Sequence, residues 1–331
     1  MNEHDLTFEA MGSHVRFLIG EPGPEADLPP ASEAAVGARG FIEEFDVALS
    51  RFKPGSELRA LNRDPRDRVP ASPLLRRAVQ AGTWAAELSG GLVDPTLIGE
   101  IERVGYVSSR AGLAGAPMVD ALAAAPARRP ARPRSEARWR ELAVDEEAGE
   151  VVRPAGLGFD TGGSGKGLAA DLVAARLRGY PRFVVDCGGD IRIGGAGALV
   201  WPYEVFVEHP LSGERSHLIR LGFGGIATSG LNVRIWRGED GRYLHHLLDP
   251  ATGEPAWTGL VGATALGDTA LEAETLAKAA LLSGPDEGRR RLAEKGGLIV
   301  HDDGAVETVG PIAAIPTAPV GDDLETVGAA A

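Results

Sequence analysis

Across "LTFEAMGSHVRFLIG" (6–20) apolar positions alternate with polar ones around Val15, Phe17 and Ile19, which fall on one side. That period of two predicts a strand with one buried face. "GPEADLPPAS" then breaks any regular element with proline and glycine. Over residues 33–52 the period lengthens: Phe41, Ile42, Phe45 and Leu49 share one helical face, which predicts a helix. "KPGSELRALN" predicts a turn and a short second helix, and residues 73–88 a third, stopped by "SGG". Strand signals recur at "GLGFD", "FVVDC" and "IRI", and at 203–208, 216–221 and 243–248. A helix is predicted over about 269–283, opened by a capping box of Thr269 and Glu272 and closed by "SG". "GGLIVHDDGAVETVG" predicts a strand pair joined by an Asp-Gly turn, and no internal repeat is present.

Composition narrows the class. A chain of 331 residues can bury a large core as one domain or two intimately joined ones. Forty-five glycines and 23 prolines imply the many sharp turns of a loop-rich α+β enzyme. No apolar stretch has bilayer length, and "MNEHDLTFEAMG" lacks the basic and apolar segments of a secretory signal, so a cytoplasmic protein without a membrane partner is expected. The single Cys187 excludes an internal disulfide and a cysteine-based metal cage. A formal charge of −13 argues against nucleic acid, so a phosphate ligand would have to be held by local donors. The one strongly basic stretch, 125–140, alternates Arg with Pro and reads as an exposed connection, with phosphate steering as the alternative.

"FDTGGSGKGLAAD" (159–171) carries the first candidate chemistry: glycines followed by a lysine where a helix begins. A P-loop would need a glycine at Asp160 and a hydroxyl at Gly167, and has neither. The dinucleotide pattern GxGxxG fails as well, because its sixth position counted from Gly156 is Thr161. Two readings remain: an anion site built from close-approaching backbone, helix N–H groups and Lys166, or a glycine-rich turn with an exposed lysine.

Further stretches decide the resemblance. "AMGS" (10–13), "LSRFKPGSELRALN" (49–62), "SGGLVDPT" (89–96), "FDTGGSGKGLAAD", "DCGGDIRIGG" (186–195), "IATSG" (226–230) and "HLLDPATG" (246–253) occur in that order. Together they resemble the signature of the FAD:protein FMN transferases, the ApbE family. The resemblance implies an α+β fold of mixed β-sheets flanked by helices, forming one unit over 1–331 with a flavin cleft. It also implies phosphoryl transfer, in which FAD is cleaved at its pyrophosphate, AMP leaves, and FMN is esterified to a threonine of a target flavoprotein.

By motif position, the resemblance puts Met11, Gly12, Ser13, Asp94, Asp160, Gly162, Gly163 and Lys166 at the flavin nucleotide. It adds Asp186, Gly188, Gly189, Asp190, Thr228 and Ser229, and makes His246 the catalytic histidine with Asp249 fixing its surroundings. A histidine suits a base near neutral pH. Without the motif, His246 would read as a structural residue at a strand end. His245 should face the other way and stay structural, and Cys187 reads as a small buried residue. For Asp94 and Glu57 a loop-capping role stands beside ligand contact.

The chain departs from the family at its magnesium site, a carboxylate and a hydroxyl four residues apart plus a carbonyl from the glycine loop. "AETLAKA" (273–279) puts Glu274 at the carboxylate position and Lys278 at the hydroxyl position, with Gly165 as the carbonyl. An ammonium only donates and repels a divalent ion beside it. Either the two form a helical ion pair, or Lys278 also takes the ion's place and part of its electrostatic role. Sliding the alignment to Asp268 and Glu272 restores a carboxylate pair but breaks the surrounding match. Two other functions remain as alternatives to transfer: a non-catalytic FAD carrier and a flavin-dependent reductase.

Overall fold

The computed structural model describes residues 2–312 and 314–316. Its centre is an eight-stranded sheet. In spatial order the strands are Glu3–Ala10, Ser13–Gly20, Phe183–Cys187, Asp190–Gly194, Gly224–Gly230, Leu260–Gly267, Gly297–His301 and Val306–Val309. The α+β class holds, but every pairing among the described strands is antiparallel rather than mixed. Short turns give that direction directly between Glu3–Ala10 and Ser13–Gly20, between Phe183–Cys187 and Asp190–Gly194, and between Gly297–His301 and Val306–Val309. Longer connections join the other neighbours of the large sheet.

Val15, Phe17 and Ile19 are fully buried, as their alternation requires, and pack under the helices Ala31–Leu49, Glu57–Arg63, Pro73–Ser89 and Gly165–Arg176. The opposite face buries Val184 and Ile193 against Ala198 and Tyr203. Farther along the sheet, Ile226 and Leu298 meet Val207 and Ile219 of a smaller three-stranded sheet. The far half of the large sheet packs Ala263 and Ala265 against Ala277, Ala280 and Leu281 of the helix Ala270–Ser283.

Local signals set the helix ends. Ser72 caps the third helix by accepting the Leu75 N–H, Pro73 follows it, and Gly90 ends the helix at φ +68. Thr269 likewise accepts the Glu272 N–H, while the Glu272 side chain reaches back to the Asp268 N–H. The first helix runs Ala31–Leu49, shorter than expected at its C-terminal end.

Two predicted strands are corrected. "GLGFD" is irregular, because the Asn62 side chain takes over the ladder's role, accepting the Phe159 N–H and donating to the Phe159 carbonyl, each at 2.8 Å. The expected strand at 243–248 is split: Tyr243–His245 pairs with Ile235–Arg237, and Leu248–Asp249 with Glu254–Pro255. His246 lies at the break. The basic 125–140 stretch is largely exposed yet pinned along its length, Arg128 to Asp302 at 2.7 Å and the Ala131 N–H to the Leu282 carbonyl at 2.9 Å.

Candidate functional site

Two hairpin turns begin the site. Met11 and Gly12 join the first two strands with φ of +53° and +67°, and Gly188 and Gly189 join Phe183–Cys187 to Asp190–Gly194 with φ of +70° and +89°. Positive φ at both central residues matches the twist of a two-residue hairpin. Glycine takes it freely, whereas Met11 is held in a conformation that non-glycine residues rarely adopt. The turns touch: a Cβ on Gly188 would lie 2.5 Å from the Ser13 Cβ.

Lys166, second residue of the helix Gly165–Arg176, reaches this pair of turns. Its Nζ lies 2.5 Å from Asp190 Oδ2 and donates to the Gly188 carbonyl at 3.3 Å. Asp190 is almost wholly buried, and its Oδ1 has no hydrogen-bond partner. Burial opposes the charge on Lys166, but the Asp190 and Glu274 carboxylates more than offset that and hold the ammonium above the usual lysine range. Asp186 turns inward on its own hairpin, Oδ1 accepting the Gly189 N–H at 2.8 Å, and burial raises its pKa.

The third wall is the helix Ala270–Ser283. Gly167 lets it approach: a Cβ there would lie 2.7 Å from the Ala270 carbonyl oxygen and the Leu271 Cα. Across this contact the Gly167 N–H donates to Glu274 Oε2 at 2.8 Å, while Lys278 Nζ donates to Glu274 Oε1 at 2.7 Å. Both carboxylate oxygens are therefore engaged, in a group with no solvent exposure. Burial raises the Glu274 pKa against the pull of Lys278.

His246 closes the ring. Its Nδ1 lies 3.3 Å from the Arg234 carbonyl, which assigns the proton to Nδ1 and leaves the Nε2 lone pair bare. Burial pushes the imidazole down to about 3, the Arg234 carbonyl opposes the fall, and the charges of Lys278, Arg234 and Lys166 add to it. The same Arg234 donates from its side chain to the Gly12 carbonyl at 2.9 Å, returning the circuit to the first hairpin turn.

Other expected residues divide. Thr228 donates its N–H to the Gly189 carbonyl and its hydroxyl pairs with Thr264 at 2.9 Å, whereas Ser229 points to the other face of the strand and is buried. Asp249 accepts the Arg132 and Ala251 N–H groups at 3.0 and 3.1 Å, so it shapes the "DPATG" turn and makes no hydrogen bond to His246 among the described residues. Asp160 and Gly163 pack around the 92–96 loop, the Asp160 N–H bonding the Pro95 carbonyl at 2.8 Å and Gly163 facing Val93, while Gly162 faces the Asp160 carboxylate. Burial raises the Asp160 carboxyl, against Arg51 at 3.8 Å. Asp94 spends Oδ1 on the Thr96 N–H and hydroxyl and leaves Oδ2 unpartnered, while Glu57 caps Ser72 with both oxygens.

His245 is fully buried edge-on to Trp257, 4.7 Å between ring centres. Burial and neighbouring acids push the Cys187 thiol well above its ordinary range, which leaves it inert. Sequence reasoning missed Arg51, which lies inside "LSRFKPGSELRALN", and Arg234, four residues past "IATSG".

The magnesium expectation meets a poor fit. Glu274 Oε1 already holds an ammonium, and no cluster of three or more His, Cys, Asp or Glu suited to a metal occurs among the described residues. Asp268 and Glu272, the alternative pair, meet Lys295 instead, and the Asp268 carboxylate is largely exposed.

The sequence model of the ApbE family matches residues 11–300, from the strained Met11 through the helix of Lys278. The chain belongs to the ApbE family. Among its ApbE-family relatives, an Escherichia coli FAD:protein FMN transferase is 31% identical over 136 residues, covering 40% of this chain but only 38% of that protein. The Treponema pallidum FAD:protein FMN transferase is 25% identical over 311 residues, 89% of this chain and 82% of that one. The fold matches the Thermotoga maritima ApbE protein with a TM-score of 0.74 at 24% identity, covering 93% and 97% of the two chains. It matches the Pseudomonas stutzeri flavinyl transferase ApbE at 0.72 and 22%, covering 93% and 95%. No helix among the described residues is long and apolar enough to cross a membrane.

Proposed function

We propose that this ApbE-family chain transfers FMN from FAD to a threonine hydroxyl of a target flavoprotein and releases AMP, acting in the cytoplasm as one unit over 1–331, without nucleic acid or membrane partners. One observation carries the reading: a neutral histidine with a bare Nε2 lies within electrostatic reach of Lys166, Lys278 and Arg234. Family membership and the relatives' names support it. In the reaction the threonine oxygen attacks the FMN-side phosphorus, its proton passes to His246 Nε2, and the bond to AMP breaks with the electron pair leaving on the AMP phosphate. Lys166 and the two hairpin turns stabilise charge at the pyrophosphate, and Asp249 holds the turn after the histidine.

Lys278 stands where the family would place a metal. With both Glu274 oxygens engaged, its ammonium supplies positive charge at the phosphates, and Gly165 and Glu274 hold no ion. Transfer by the wild type should therefore be insensitive to a chelator. The Lys278→Thr variant should lose rate at least about tenfold and regain part of it with added magnesium. Abolition of wild-type activity by the chelator would contradict this role for Lys278.

The proposed activity is tested by incubating the protein with FAD and a threonine-bearing acceptor peptide and following the nucleotides by chromatography. AMP release dependent on the acceptor supports transfer. Intact bound FAD indicates a carrier, and NAD(P)H oxidation with turnover of bound FAD indicates a reductase.

A further inference from the structure

Three cations face His246, and they are not equivalent. Lys166 lies on Asp190, and Lys278 on Glu274, so each ammonium is largely balanced before any ligand arrives. Arg234 has no carboxylate within ion-pair distance among the described residues, and its guanidinium donates only to two main-chain carbonyls, Val233 at 2.7 Å and Gly12 at 2.9 Å. A guanidinium has five N–H donors in a fixed fork, so three remain for a ligand.

Its location narrows the ligand. Arg234 bridges the Met11–Gly12 turn, and Ser13 beyond it packs on Gly188, whose carbonyl receives Lys166. The main-chain carbonyl of the same residue orients the histidine. An unbalanced fork fixed on the Met11–Gly12 turn, in a residue whose carbonyl orients the proposed base, is matched by a phosphate oxyanion, which a guanidinium can bind with two parallel N–H donors.

We infer that Arg234 is a phosphate-binding residue of this site, its side chain holding the pyrophosphate of the flavin nucleotide while its carbonyl fixes the His246 tautomer. The inference rests on the proposed flavin-transferase reading and adds a residue that the motif comparison did not single out. Because any residue supplies the carbonyl, a side-chain substitution separates the two roles.

The test is a flavin-fluorescence titration of wild type, Arg234→Met and Arg234→Lys with FAD and with riboflavin, which shares the ring system but has no phosphate. Near-ultraviolet circular dichroism confirms the fold of each variant. Arg234→Met should weaken FAD by about tenfold to a hundredfold, the size of a lost charged hydrogen bond, and change riboflavin by less than about twofold. Arg234→Lys should fall between, because it keeps the charge and loses the fork. Equal weakening of FAD and riboflavin, or no weakening of either, overturns the inference while leaving the transferase reading intact. A wild type that binds no FAD removes both. Should Arg234→Met fail to fold, the FAD-to-riboflavin comparison in Arg234→Lys decides alone.

Discussion

His246 and its neighbour show how adjacent histidines divide. His245 is sealed against Trp257, and His246 faces the cations, yet burial pushes both down to about 3. A base must be unprotonated to act, and a lowered pKa keeps His246 neutral well below pH 6.5 in the free protein. In NMR of the free protein, neither histidine ring should titrate between pH 7.5 and 5.5. His246 is half-buried, unlike the sealed His245, and an inflection near 6.5 at His246 would show that its surroundings do not hold the imidazole neutral. The linkage has a definite sign: below the ordinary 6.5 the unfolded chain takes up protons that the folded chain refuses. Stability should therefore fall as pH drops from 6.5 toward 3, by at most about 1.4 kcal/mol per pH unit for each histidine. Urea unfolding across that range should give a shallower slope for His245→Gln than for the wild type.

At the scale of elements, the contact between the two helices at Gly167 and Ala270 sets the spacing of the site. The Gly167→Ala variant would drive a methyl into main-chain atoms of the neighbouring helix, which cannot move like a flexible side chain. It should cost about 1–3 kcal/mol in urea unfolding and also disturb the N–H bond to Glu274. An unchanged midpoint would show that the helices tolerate wider spacing. Elements defined by periodicity and caps were legible in the sequence, as Ser72, Pro73 and Gly90 show for one helix and Thr269 for another. "GLGFD" misled because its buried Leu157 and Phe159 look like a strand, while the hydrogen-bond partner is a side chain 97 positions away in sequence. The single strand expected across "LTFEAMGSHVRFLIG" is two, Glu3–Ala10 and Ser13–Gly20, because Met11 and Gly12 turn the chain at positive φ, a conformation that a methionine gives no sign of.

Across the whole molecule, the sheet brings strands from the first twenty residues beside strands from 183 to 309, and only that arrangement makes a site of the dispersed motifs. Motif order pointed to Lys166, Asp190 and His246, and the fold brings all three together. Arg234 was not legible, because its role depends on a carbonyl of a distant hairpin. Thr228 and Ser229, adjacent in sequence, part company once the strand alternates. The net charge of −13 makes the local cations matter more, since the overall field does not favour an anionic nucleotide. The central claim is chemical, and the intact mass of an acceptor carrying one threonine tests it most directly. After incubation with FAD and wild-type protein, the acceptor should gain one FMN phosphoester at that threonine. The gain should drop by about 10²–10⁴-fold in rate for a His246→Gln variant that still binds FAD. An unmodified acceptor with the wild type, or undiminished modification with His246→Gln, would contradict the account.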